Sequence, residues 1–330
     1  MATAIATSNM TLADIAKQTT PDGSIESNIA EMLTQDNEIL MDQTWEEANG
    51  GTFHRCSIRT GIPEAAFRRF YEGVTPPKTT YAQVDEPIGM MEARSFVDAK
   101  LLDMSPNPAR VRMNEMAGIL EGFNQSYVQT LLYGDVSTAP AKFNGFLPRF
   151  DSLSAASGEN VIDANGTGTD NASILLVKWG RNVFGTYPRG SKAGLQREDL
   201  GKQEVLDGNT PARRYTAYED KMQWDCGLVV QDWRDVVAIR NIDKSLLVAQ
   251  SGAPALLELM AAAVDKLRGE QGRPAFYVNR TVKTMLRIQC MKQANVYLTL
   301  GQEEGRPKLS FDSIPIRKVD MMQADEARIT

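Results

Sequence analysis

The first 103 residues of this chain hold too few large aliphatic side chains to bury a core of their own. That limits the fold more than any motif does, because a segment without burial cannot offset its conformational entropy alone. Residues 1–50 are polar and weakly patterned. Thr11-Leu12-Ala13-Asp14-Ile15-Ala16-Lys17 predicts a short helix capped by Thr11, and Ile29 to Met41 predicts another. The segment reads as an arm that needs neighbours to order it. Residues 51–103 read as an extended hairpin. Thr52 to Thr60 predicts a strand, Gly61-Ile62-Pro63 turns it, Pro76-Pro77 marks a tip, and Lys78 to Asp85 predicts the returning strand. Globular enzymes rarely devote a third of the chain to such segments. Proteins that assemble do, because a neighbour supplies the missing burial.

The rest of the chain carries the apolar patterning. Pro106 and Pro108 open a helix predicted over 106–134, and Met116, Ile119, Leu120, Phe123, Tyr127 and Leu131 recur on one stripe. Gly134 ends it, after about 25 residues or roughly 37 Å. Residues 151–172, rich in Ser, Gly, Asn, Asp and Thr, predict a surface loop, and Ile174 to Trp179 a short strand. Met222, Trp224, Cys226, Leu228 and Val230 alternate with mostly polar neighbours, which predicts a strand over 221–231. Val236 to Ile239 adds another. Pro254 opens a helix over 254–267, with Leu256, Leu257, Met260, Ala263, Val264 and Leu267 inward and Gly269 after it. Ala275 to Val278 predicts a strand. Asn279 caps a helix that carries Val282, Met285 and Leu286 inward, and a last strand surrounds Ile314-Pro315-Ile316. The fold class is α+β, with no internal repeat.

Chemistry is sparse. Lys and Arg total 36 against 42 Asp and Glu, a net charge of -6, and no basic run exceeds Arg68-Arg69 or Arg213-Arg214. Tight DNA binding, which draws on clustered cations, is not expected. Cys56, Cys226 and Cys290 are far apart and match no metal spacing, so they read as reduced thiols. His54 is the single histidine, so any Ser-His-Asp or Cys-His site would have to use it. His54 and Cys56 share a strand face in the hairpin and read as plain surface residues. Cys226 reads as a small core residue and Cys290 as helix packing. Asn165 to Asp170 lacks both the Lys-Ser/Thr ending of a P-loop and the acidic ladder of a calcium loop, so it reads as a flexible loop. No cofactor or metal is expected, and no stretch approaches the ~20 apolar residues of a bilayer span. Met1 to Met10 has no basic and apolar leader pattern, so a cytoplasmic setting is expected. Asp232-Trp233-Arg234-Asp235 reads either as a rigid corner with Arg234 paired to a carboxylate or as a solvated turn. Arg68-Arg69 with Glu72 reads either as ion-pairing contacts between subunits or as a solvated charged face.

The ordered set of segments resembles a family. Thr11 to Lys17, then Gly61-Ile62-Pro63 through Phe67-Arg68-Arg69 and Glu72-Gly73-Val74, then Lys78-Thr79-Thr80 to Gln83-Val84 and Val97-Asp98 follow its arm and hairpin. Leu131-Leu132-Tyr133-Gly134-Asp135 and Gly145-Phe146-Leu147 follow its long helix. Tyr218, Trp224, Gly227-Leu228 and Asp232-Trp233-Arg234 to Asn241-Ile242-Asp243 follow its central strands. Tyr277-Val278-Asn279-Arg280-Thr281 and Ile314-Pro315-Ile316-Arg317 follow its closing unit. Together they resemble tailed-phage major capsid proteins of the Hong Kong 97-type fold, nearest to the gp7-like capsid proteins of epsilon-fifteen-like phages. The stretch Pro21 to Asn37, and His54 with Cys56, depart from that pattern.

The resemblance implies a layout: an N-terminal arm at 1–50, an extended E-loop at 51–103, and a peripheral domain with its spine helix at 104–139. It implies an axial domain in two parts, 140–204 and 246–330, with strands 205–245 returning to the peripheral domain. It implies a non-enzymatic subunit that self-assembles into pentamers and hexamers of an icosahedral head enclosing double-stranded DNA. The implied partners are a portal, a separate scaffolding protein and, where one is present, a decoration protein, with only weak non-specific contact to packaged DNA and no membrane. The implied location is the virion, assembled in the host cytoplasm. Arg68, Arg69, Glu72, Lys78, Arg112 and Glu115 are the expected inter-subunit contacts, with Lys78 the single candidate for the covalent cross-linking that some relatives use. Two rivals stand beside this reading: an encapsulin-like compartment shell and a cytosolic α+β enzyme.

Overall fold

The computed structural model describes residues 35, 37–207, 210–250, 255–268, 272–292, 298–303 and 306–330. The helix expected at Thr11 to Lys17, most of the one at Ile29 to Met41, Pro254, Gly269 and the side chain of Cys290 lie outside them. The chain divides into two compact units. Of the described residues, the larger holds those within 37–89, 128–193 and 226–330, and the smaller holds Gln35 and those within 90–127 and 194–225.

The larger unit is built on a seven-stranded mixed sheet. Its strands are β4 (Val161–Asp163), β5 (Asn171–Trp179), β9 (Val236–Asp243), β10 (Arg273–Val278), β11 (Leu298–Glu303), β12 (Arg306–Phe311) and β13 (Ile314–Lys318). Their order is β11-β12-β13-β10-β5-β9-β4. Every residue of β5 and of β9 is buried, as expected of central strands covered on both faces. On one face Ile174, Leu176, Ile239 and Phe276 pack against two helices, α5 (Leu256–Lys266) and α6 (Arg280–Lys292), through Leu256, Met260, Ala263, Val282 and Leu286. On the other, the Trp179 indole donates to the Tyr277 hydroxyl at 2.6 Å and meets the Phe146 ring edge-on. Asn279 caps α6 as expected, its side-chain oxygen accepting from the Thr281 amide at 2.9 Å.

The same unit holds part of a second sheet, ordered β1-β6-β8-β3-β2. Here β1 (Trp45–Glu47) runs parallel to β6 (Val183–Tyr187), and β6 pairs antiparallel with the end of β8 (Thr210–Val230). The hairpin is present as β2 (Phe53–Gly61) against β3 (Thr80–Asp98), with Phe53 opposite Pro87 and Gly61 opposite Thr80. Its turn differs from the one expected. The Glu72 amide donates to the Arg69 carbonyl at 3.2 Å, and Tyr71 takes φ +64°. Pro76-Pro77 lies on the return instead, where extended proline backbone needs no ladder donor.

The smaller unit contains β7 (Gln196–Asp207), antiparallel to β8, α2 (Ala99–Asp103), and the first part of the long helix α3 (Pro108–Tyr133). Val97, Leu102 and Val111 form its small core, and Tyr127 stacks on Trp224 at 4.5 Å. Of the predicted stripe on α3, Phe123, Tyr127 and Leu131 are buried, while Leu120 is exposed. The helix ends in the larger unit at Gly134. An added Cβ there would meet the Phe143 and Thr130 carbonyl oxygens at 2.4 Å, so only glycine lets the following chain close on the helix end.

The expected loop at 151–172 is partly structured, with a 3-10 turn at Ala156–Asn160 and strand β4. It is also pinned. The Gly166 amide donates to the Asn241 carbonyl, and Asp163 accepts from the Asn165 amide and the Asn241 side chain. These bonds hold in place what the composition suggests is flexible.

Candidate assembly site

Every residue from Ile62 to Lys78 is exposed. Phe67, Phe70 and Tyr71 are at or near full exposure, and Ile62 is 81% exposed. The turn between them is held locally: the Arg69 amide donates to Glu72 Oε2 at 3.3 Å, and Arg68 Nη1 reaches the Glu72 carbonyl at 3.5 Å. A bulky residue with positive φ, such as Tyr71, is uncommon and costs backbone strain. The turn therefore presents its aromatic rings outward rather than folding them back. At the base of the hairpin Arg55 clamps Asp85 through two hydrogen bonds of 2.7 Å, and that bonding holds the Asp85 carboxyl below its usual range. Four of the expected contact residues, Arg68, Arg69, Glu72 and Lys78, lie on this exposed tip.

The other two lie on α3. Arg112 is engaged within the smaller unit, pairing with Asp220 at 2.8 Å and Asp199 at 2.9 Å and lying over the Tyr218 ring. Asp220 is buried and also accepts from Arg197 at 2.8 Å. Glu115 is half-buried on the same helix. The structure thus brings Arg68, Arg69 and Glu72 together and places Arg112 in a separate network.

His54 and Cys56 require a correction. Both were expected at the surface, yet Cys56 is buried against Phe184 and Val229, and His54 meets the edge of the Phe184 ring at 5.4 Å. The cause is β6, a short strand that the sequence reading missed, which covers one face of the hairpin base. Burial, reinforced by the Glu86 carboxylate, pushes the Cys56 thiol up to about 11, so at neutral pH it is a protonated packing group rather than a nucleophile. Burial likewise lowers the pKa of His54. Cys226 is fully buried, as expected.

Two ion pairs, one half-buried and one buried, were also illegible in the sequence. Arg149 forks onto Glu86 at 2.6 and 2.7 Å, and Lys178 pairs with Asp235 at 2.6 Å. Their partners are 63 and 57 residues apart along the chain, so no local pattern marks them. The Asp232 to Asp235 corner is rigid: Asp232 accepts from the Arg234 backbone at 3.0 Å and pairs with its guanidinium at 2.6 Å. Among the described residues no group of three or more His, Cys, Asp or Glu could hold a metal, and no helix is long and apolar enough to cross a membrane.

Comparison with known proteins adds a second line of evidence. Residues 20–330 match the family described as major capsid protein GP7. A solved structure of bacteriophage Epsilon15 aligns over 100% of both chains at 31% identity, with a TM-score of 0.81. The bacteriophage JBD30 capsid aligns over 94% of this chain and 99% of its own at 11% identity and a TM-score of 0.50, a likeness of fold alone. None of the curated proteins compared with the chain matches it.

Proposed function

The chain belongs to the major capsid protein GP7 family, and on that premise we propose how a phage major capsid protein of this sequence builds its shell. Residues 51–103 act as the E-loop, and its tip reaches over a second copy. Residues 1–50 act as the arm. Residues 104–139, with the strands of 205–245, serve as the peripheral domain, and 140–204 with 246–330 serve as the axial domain, around which copies join into pentamers and hexamers. The shell encloses double-stranded DNA, is assembled in the host cytoplasm on a separate scaffolding protein, and receives a portal and, where one is present, a decoration protein. Family membership leaves the encapsulin-like shell and the cytosolic enzyme without support.

The observation that carries the E-loop reading is the uncovered tip. Phe67, Phe70 and Tyr71 are exposed at the end of a hairpin whose base is tied down by Arg55 and Asp85. Exposed aromatic clusters of this kind mark interaction surfaces. Each rim ion pair from Arg68, Arg69, Glu72 or Lys78 contributes little, ~0–1 kcal/mol, and closure comes from many such contacts repeated by symmetry.

The test replaces residues 64–78 with a short Gly-Ser link, which keeps Thr80 to Asp85 paired with β2. The variant is co-expressed with the genes neighbouring its own and viewed by negative-stain microscopy. We expect a folded chain with a nearly unchanged unfolding midpoint and no closed particles. Normal particles would sink the E-loop assignment.

A further inference from the structure

His54 is the single histidine of the chain, and it sits on β2 at the base of the hairpin. Three other strands surround it. β6 sets the Phe184 ring against it edge to face, with centroids 5.4 Å apart. β3 places Glu86 opposite it in the strand register, and β1 brings Glu46 near enough for its charge to be felt. The Cys56 thiol, two residues on along β2, packs against the same Phe184 ring. The imidazole Nδ1 is buried, and among the described residues no group bonds to it.

The protonation state of the ring decides what that position costs. In neutral imidazole one nitrogen is a bare acceptor, whereas the protonated ring carries N–H on both. A proton on Nδ1 would therefore leave a charged donor buried without an acceptor, which costs more than a neutral acceptor in the same place. The nearby carboxylates do not remove that cost. Glu86 is already held by the Arg149 fork at 2.6 and 2.7 Å. Burial outweighs the pull of Glu46 and Glu86 and lowers the pKa of His54.

We propose that His54 is a proton-operated latch on the hairpin: the neutral ring seats the base of β2 and β3 against β6, and a proton on the ring releases it. A histidine that holds its proton less tightly folded than free favours the open form as pH falls below the free value of about 6.5. The loss of seating grows down to the folded value and levels off beneath it. Asp85, whose carboxyl is held below its usual range by Arg55, stays ionised throughout, so β2 and β3 remain tied to each other. The hairpin base thus leaves β6 as a pair of strands. That this hairpin is the one reaching over a second copy rests on the E-loop reading. The latch itself does not.

The experiment is hydrogen exchange read by mass spectrometry on the full-length, unassembled chain, at about pH 7.5 and about pH 5.0. The wild type is compared with His54→Phe, which keeps a ring against Phe184 and cannot take up a proton. Comparing the two proteins at the same pH cancels the intrinsic pH dependence of exchange. Residues 53–61 and 80–87 should exchange alike in both proteins at the higher pH. At the lower pH they should exchange about threefold faster, or more, in the wild type. Peptides from β5 should not differ at either pH. Equal exchange of the hairpin base in the two proteins in acid would overturn the proposal. If His54→Phe does not fold, the wild type decides alone, through the single imidazole signal in its NMR spectrum. A titration below the free value, matched by faster exchange of the hairpin base over the same pH range, supports the latch. A titration at or above the free value overturns it. Both measurements use unassembled protein, so their failure leaves the particle test of the 64–78 replacement untouched, and the latch and the E-loop reading fail separately.

Discussion

Strand β5 and the hairpin tip each carry five large apolar side chains, and those side chains meet opposite fates. Asn171–Trp179 carries Ile174, Leu175, Leu176, Val177 and Trp179, and all nine of its residues are buried. Ile62 to Lys78 carries Ile62, Phe67, Phe70, Tyr71 and Val74, and all of it is exposed. The presence of large apolar side chains alone therefore does not decide burial. What decides it is whether the same chain supplies a second layer. β5 lies between β9 and β10, under α5 and α6, while the tip extends beyond its paired strands. The first region is covered by its own chain, and the second leaves its aromatic rings uncovered.

That contrast can be broken in three ways. The largest effect is expected from Leu176→Ala, which opens a cavity under α5 and α6. It should cost ~2–5 kcal/mol, read as a lower denaturant midpoint. A loss below ~1 kcal/mol would mean that β5 is less tightly covered than its burial indicates.

The second test concerns the corner between β8 and β9. Burial opposes ionisation of Asp232, but the Arg234 side-chain and backbone hydrogen bonds outweigh it and lower its pKa. A carboxyl lowered in the folded state stabilises above its unfolded value of about 3.9, and the contribution is lost as pH falls through the folded value. The stability gap between the wild type and Asp232→Asn should therefore be steady above about pH 5 and close in more acidic solution. The pair is partly exposed, so the gap should stay below ~1 kcal/mol. A gap that widens in acid would contradict the pairing.

The smallest stability effect belongs to Phe70→Ser. The ring touches little of its own chain, so the unfolding free energy should change by no more than about 0.5 kcal/mol. Particle yield should nevertheless fall. If stability dropped with yield, the tip would be part of the fold rather than a contact.

Much of the architecture was legible in the sequence. The alternation from Met222 to Val230 marked a strand with Cys226 inside, the spacing from Phe123 to Leu131 marked the long helix, and Asn279 marked the start of α6. Each of these is a local signal with a fixed period. The hairpin was legible as a segment unable to bury itself, although its turn was placed at the prolines instead of at Arg69 to Glu72. Strand β7 was not legible. Gln196–Asp207 is polar and gains its structure from cross-strand partners on β8, such as Glu204 with Arg214 at 3.1 Å.

The sequence alone determined the α+β class, the family resemblance and which stretches lack a core. These depend on composition, periodicity and the order of motifs, all of which can be read along one dimension. Only the tertiary structure decided that Cys56 is buried under β6, that Arg149 reaches Glu86, and that Arg112 joins Asp220. Those facts depend on which distant segments become neighbours, and side-chain contacts between strands and helices carry no fixed spacing in the sequence.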